Sequence, residues 1–219
     1  AIRVLKAIGA PYAQDYASRF GFDPANHPAY LSMGLGVGSA TLIEMVTAYG
    51  VFANGGYLKK PYLIEKMVDS QGQVIDQTNT MFQNEETPRV IDPRNAFIMT
   101  TLLQDVVNKG TAQKAKALGR SDIAGKTGTT NNQVDAWFAG YTPSQVAIAW
   151  IGFDQPKSLG KDETGSQAAL PIWIKYMQTA LKDIPIQNYE MPDGVMIRKI
   201  KSDTGTPANE NEEGVNEYF

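Results

Sequence analysis

The run Ile123-Ala124-Gly125-Lys126-Thr127-Gly128-Thr129-Thr130 concentrates an ammonium, two hydroxyls spaced two residues apart and a bare glycine backbone on one short strand. A carboxylate is the group such a strand can hold. Lys126 supplies a compact positive charge and Thr127 and Thr129 supply hydroxyl donors. Gly128 removes the side chain that would block an approaching peptide. The tripeptide Lys126-Thr127-Gly128 is weak evidence by itself, because an exposed strand carrying an ordinary surface lysine has the same composition.

The surrounding elements must hold that strand in place. From Ile123 the hydrophobic period changes from helical to strand-like, and three strands follow: Ile123 to Thr130, Val134 to Thr142 and Gln145 to Asp154. The turns between them, Asn131-Asn132-Gln133 and Pro143-Ser144, are short enough for hairpins, which predicts an antiparallel meander. A helix over Pro171 to Lys182 can pack back on this sheet through Ile172, Ile174, Tyr176, Met177 and Leu181. Ahead of the strands, Asp92-Pro93 caps a helix carrying Phe97, Ile98, Leu102, Val106 and Val107, and Gly110 ends it. Thr41-Leu42-Ile43-Glu44 has the capping-box pattern and opens another helix, stopped at Asn54-Gly55-Gly56. Tyr12, Tyr16 and Phe20 recur every fourth residue between Pro11 and Gly21, a short amphipathic helix. Tyr57 to Asp69 and Val74-Ile75 read as a small hairpin around Ser70-Gln71-Gly72-Gln73, edge-like or irregular because of Pro61. The class is α+β, with helices first and then an antiparallel sheet closed by a helix.

Beyond Pro185 the chain is polar and acidic. Residues 1–182 carry a net +2 and residues 183–219 a net −5, so the acidic excess belongs to the C-terminal extension. That extension holds one strand candidate, Val195 to Ile200, and Thr204 to Asn216 reads as a flexible tail. The expected division is therefore 1–183 and 184–219. The near-neutral body gives no nucleic-acid footprint. No apolar run approaches the roughly 18 residues needed to span a bilayer.

Other candidates for chemistry are weaker. With no cysteine, the chain has no disulfide or thiol chemistry. Its single histidine, His27, lies in a turn-like Pro-flanked stretch and reads as a loop residue. Gly34-Leu35-Gly36-Val37-Gly38 precedes a helix but has the wrong glycine spacing for a phosphate loop, and reads as a connector. Ser158-Leu159-Gly160-Lys161 formally matches Ser-x-x-Lys, yet it lies in a loop beside Pro156, with no helix to set the amine against the hydroxyl. No Ser-x-Asn occurs. Asp135, the carboxylate nearest the Lys-Thr-Gly strand, reads as a turn residue ahead of an acid or base. Trp137, Tyr141, Trp150 and Trp173 read as core or groove walls.

Longer blocks are more specific. Glu44-Met45-Val46-Thr47-Ala48-Tyr49-Gly50-Val51-Phe52-Ala53-Asn54-Gly55-Gly56 resembles class A bifunctional penicillin-binding proteins. So do Gly110-Thr111-Ala112, the strand Ala124 to Thr130, Asp135-Ala136-Trp137-Phe138-Ala139-Gly140-Tyr141-Thr142-Pro143, Trp150-Ile151-Gly152-Phe153-Asp154 and Ala169-Leu170-Pro171-Ile172-Trp173. The blocks run in the same order over roughly residues 1–183, and class A β-lactamases share only the tripeptide with them.

The resemblance implies a transpeptidase domain whose antiparallel sheet is packed between helices, the penicillin-binding and serine β-lactamase-like fold. It implies a serine that attacks the D-Ala-D-Ala end of a peptidoglycan stem peptide, forms an acyl-enzyme and yields a cross-link, with β-lactams acylating the same serine. By motif position Lys126 resembles the lysine that supports the proton network. Thr127 and Thr129 resemble the hydroxyls that grip the terminal carboxylate, and the Thr129 N–H resembles half of the oxyanion hole. Gly128 and Thr130 complete the substrate-binding strand. No cofactor or metal is implied. The family's Ser-x-x-Lys, its Ser-x-Asn and its first two sheet strands lie upstream of the matching blocks. The expectation is therefore a C-terminal portion of the domain, inactive alone and folding with the missing N-terminal part, in a parent anchored on the periplasmic face of the inner membrane. A non-catalytic module that binds cell-wall peptide is the alternative.

Overall fold

The computed structural model describes residues 1–78, 87–209 and 211–219. The chain divides into two compact units, Ala1–Val90 and Ile91–Phe219. The expected boundary at 183/184 falls inside the second.

In the first unit, α1 (Ile2–Ile8) and α2 (Ala10–Ser18) are separated by Gly9 at φ 89°, with Pro11 in the first turn of α2. The Tyr12, Tyr16 and Phe20 rings form a ladder with centroids 6.0 and 5.9 Å apart. In α3 (Leu42–Ala53) the capping box is complete: Thr41 Oγ1 accepts from Glu44 N at 3.2 Å, and Thr41 N donates to Glu44 Oε2 at 2.7 Å. The hairpin is shorter than the run of β-forming residues suggests, comprising only β1 (Lys66–Val68) and β2 (Val74–Gln77). Around Pro61, which has no N–H to donate, the chain is not in a strand, and Tyr57 instead bridges Arg89.

The second unit opens with α4 (Pro93–Asn108), capped by Asp92, whose carboxylate accepts from Arg94 N at 2.9 Å. The sheet is β3 (Ala124–Thr129), β4 (Ala136–Tyr141) and β5 (Val146–Ile151) in the order β3-β4-β5, antiparallel throughout, as the short turns require. A turn of π-helix over Gly165–Ala169 leads into α5 (Leu170–Ala180). Phe138 packs edge-on against Trp173 of α5 at 4.9 Å, and the Trp173 indole donates to Ala147 O at 2.9 Å. Tyr141, three residues along β4 and so on the opposite face, meets Thr100 of α4 through its hydroxyl at 2.9 Å. The sheet thus has a helix on either side. Glycine makes the first of these packings possible, because a Cβ at Gly125 or Gly140 would lie 2.7 Å from the Phe138 ring, and at Gly140 equally close to Trp173.

The C-terminal extension is more ordered than its composition suggests. β6 (Ile197–Ile200) and β7 (Val215–Tyr218) form a hairpin, reinforced by the Lys201–Glu212 ion pair at 2.7 Å. Tyr218 packs edge-on against Phe97 of α4 at 5.3 Å. The expectation of a flexible tail over Thr204 to Asn216 is revised where Val215 and Asn216 enter β7; Glu210 lies outside the described residues.

Candidate functional site

Register decides what β3 presents. The N–H of Thr130 donates to Asp135 O at 3.1 Å, and at the far end of β4 the N–H of Thr142 donates to Gln145 O at 2.8 Å. With the pairing Lys126↔Ala139 and Gly128↔Trp137, both ends set the same phase. The backbone groups of Ala124, Lys126 and Gly128 turn toward β4, and those of Gly125, Thr127 and Thr129 point away from it. No strand pairs on that outer side among the described residues. The Thr127 and Thr129 amides therefore face outward along an open edge, available to an extended peptide.

Side chains alternate across the same strand. Thr127 and Thr129 share the Phe138 face, and Lys126 lies on the other with Gly128, Trp137 and Trp150. Lys126 is exposed, and its Nζ folds back to donate to Thr127 O at 2.8 Å, on the open edge. The Thr129 hydroxyl accepts from Gly165 N at 3.0 Å, which leaves its proton to be donated elsewhere. The Thr127 hydroxyl lies 2.7 Å from that of Thr111. A charged ammonium, two hydroxyls and two outward amides thus converge on one strand edge, an arrangement suited to an anionic peptide terminus.

Thr130 is used differently. Its hydroxyl accepts from Asp135 N at 2.7 Å and donates to Asp135 Oδ2 at 3.4 Å, closing the β3–β4 turn, while Asp135 Oδ1 accepts from the Trp150 indole at 3.0 Å. Asp135 is the turn residue its position suggested. The indoles of Trp137 and Trp150 are 5.9 Å apart and form a wall on the Lys126 face. Trp173 and Tyr141 are buried core.

The remaining candidates have local structural roles of their own. Ser158 is exposed in a loop, its hydroxyl accepting from Gly160 N at 3.2 Å, with no helix to bring Lys161 alongside. The glycine run in the first unit is a connector: a 3₁₀ turn over Leu31–Leu35 ends at Gly36 (φ 87°), and Gly38 packs against the His27 ring. The carboxylate of Glu44 already occupies the N-terminus of α3. His27 bonds Asp23 O through Nδ1 at 3.0 Å. Two residues escaped the sequence reading as parts of the site, Thr111 and Gly165. The block Gly110-Thr111-Ala112 was visible, but its contact with a strand 16 residues on was not.

Residues 2–178 match the family described as penicillin-binding protein transpeptidase domain. The chain belongs to that family. Penicillin-binding protein 1A of Neisseria lactamica is 51% identical over 195 residues, covering 89% of the chain and 24% of that relative. Penicillin-binding protein 1A of Pseudomonas aeruginosa is 38% identical over 252 residues, covering 94% of the chain and 31% of that relative. The chain thus spans about a quarter to a third of the curated relatives it matches. The crystal structure of penicillin-binding protein 1A from Haemophilus influenzae superposes on all of the chain with a TM-score of 0.93 at 32% identity, over 37% of its own length. The PonA1 protein of Mycobacterium tuberculosis, solved in complex with penicillin V, covers 80% of the chain with a TM-score of 0.66 at 25% identity, over 50% of its own length. In this penicillin-binding transpeptidase domain, β3 is the strand that carries Lys-Thr-Gly.

Proposed function

We propose that this chain forms the carboxylate-gripping and oxyanion wall of a D,D-transpeptidase that cross-links peptidoglycan. The stem peptide lies along the open edge of β3 and pairs with the Thr127 and Thr129 backbone. Its terminal carboxylate is held by the Thr127 and Thr129 hydroxyls, beside the positive charge of Lys126. A serine from the part of the domain outside these 219 residues attacks the penultimate D-Ala carbonyl. The oxyanion then receives the Thr129 N–H and the N–H of that serine. D-Ala leaves, and the amine of a neighbouring stem peptide takes the acyl group. β-Lactams acylate the same serine, and peptidoglycan as substrate puts the site on the periplasmic face of the inner membrane.

One observation carries this reading: Thr129 offers an outward N–H and a hydroxyl proton on the same unpaired strand edge. Labelled penicillin tests it. The whole protein becomes covalently labelled, and Lys126→Ala slows labelling on the order of 10²-fold, the scale of a lost electrostatic contact in an acyl-transfer site. The 219-residue chain alone is not labelled, because it places no Ser-x-x-Lys on a helix. Peptide binding by the whole protein without labelling would point instead to a non-catalytic module.

A further inference from the structure

A hydroxyl that grips a carboxylate must donate its single proton to it, and it does so best when a neighbour fills one of its lone pairs. At Thr129 the Gly165 N–H does this. The equivalent neighbour of Thr127 is the hydroxyl of Thr111, at 2.7 Å. We propose that Thr111 is a positioning residue for the transpeptidase reaction: its hydroxyl donates to Thr127 Oγ1 and so directs the Thr127 proton to the substrate carboxylate. This deepens the reading of Thr127 given above and rests on it.

The local structure fixes Thr111 for that task. Gly110 lies so close to α4 that a Cβ there would meet Val106 Cα and O at 2.9 Å. Ala112, on the other side, is fully buried in the core shared by Phe138 and Trp173, and its N–H donates to Val106 O at 3.0 Å. Thr111 is pinned between these two contacts, while its own side chain stays exposed with its hydroxyl against β3. Lys114, one turn on, donates to the side-chain oxygen of Gln167 in the π-helical turn that carries Gly165. The segments that orient Thr127 and Thr129 are therefore tied to each other as well as to β3.

The test compares acylation of the whole protein by benzylpenicillin, which carries the carboxylate, and by benzylpenicillin methyl ester, which does not. Thr111→Val is expected to slow acylation by the acid about three- to tenfold, the range of one neutral hydrogen bond, and to leave acylation by the ester at the wild-type rate. Thr111→Ser restores the acid rate. A Thr111→Val protein that reacts with the acid at the wild-type rate, or that slows acid and ester equally, overturns the inference. Thr127→Val is measured alongside. If it slows the acid while Thr111→Val does not, only the role of Thr111 fails; if it leaves the acid rate unchanged, the carboxylate reading of Thr127 fails and takes this inference with it.

Discussion

Arg120 and Asp122 form a bidentate ion pair at the root of β3, with Nε 2.9 Å and Nη2 2.6 Å from the two carboxylate oxygens. The Asp122 side chain is fully buried and that of Arg120 nearly so. The pair also holds the chain that leaves α5. Arg120 donates to Ile184 O and Pro185 O, Asp122 Oδ2 accepts from Gln187 N, and the Tyr189 hydroxyl donates to Asp122 O. One buried pair therefore fixes the strand that carries the site and the start of the C-terminal extension.

Arg120→Ala is expected to destabilise the domain by about 3–5 kcal/mol, because it strands a buried carboxylate. Arg120→Met combined with Asp122→Leu should cost less than the single change, since neither charge is then buried alone. Urea unfolding of the transpeptidase domain within the whole protein measures both. A double variant less stable than Arg120→Ala would contradict this account.

Gly165→Ala should damage the site more than its size suggests. A Cβ there would meet Trp137 O at 2.3 Å and Gly128 O at 2.5 Å, both backbone atoms that cannot rotate aside. β3 or the π-helical turn must move, and the Gly165–Thr129 hydrogen bond goes with it. Penicillin acylation is expected to fall at least about tenfold, the scale of one hydrogen bond lost at an ordered polar site. An unchanged acylation rate would show that Gly165 does not orient Thr129.

Alkaline pH should weaken the fold through two tyrosines. Burial raises the Tyr189 phenol above its ordinary value, with Tyr141 and Asp122 adding to the shift, and burial pushes Tyr49 up to about 12. Below about pH 10 both phenols are neutral in folded and unfolded chains alike, and their contribution is fully present. Above it the unfolded chain ionises first, so stability falls as pH rises, by up to about 1.4 kcal/mol per pH unit for each tyrosine. Tyr189→Phe should flatten part of that slope between pH 10 and 11 in denaturant titrations, and an unchanged slope would contradict the burial of its phenol.

Much of this was legible in the chain because the signals were local. The Thr41–Glu44 capping box, the Asp92-Pro93 helix start and the alternation through β3, β4 and β5 each lie within a few residues. Each appears in the structure to within three positions, the largest difference being β5, which ends at Ile151 instead of Asp154. The Lys-Thr-Gly strand was equally local. What escaped was tertiary. Thr111 and Gly165 join the site from 16 and 36 residues away, and neither follows a periodic pattern. The π-helical turn at Gly165 is set by backbone packing on Gly128 and Trp137, which no propensity encodes. The β6–β7 hairpin gains support from Phe97 and from the Lys201–Glu212 pair, so its polar composition hid it. That packing makes Val215 to Tyr218 a strand, whereas Tyr57 to Pro61 is kept out of one locally, by a proline with no N–H to donate.

A crystal structure of the whole protein acylated by benzylpenicillin tests the central claim most directly. The penicillin carboxylate is expected within hydrogen-bond distance, roughly 2.5–3.2 Å, of both Thr127 Oγ1 and Thr129 Oγ1, and the acyl oxygen at the same range from Thr129 N. A carboxylate held by other residues, with the β3 edge empty, would contradict it.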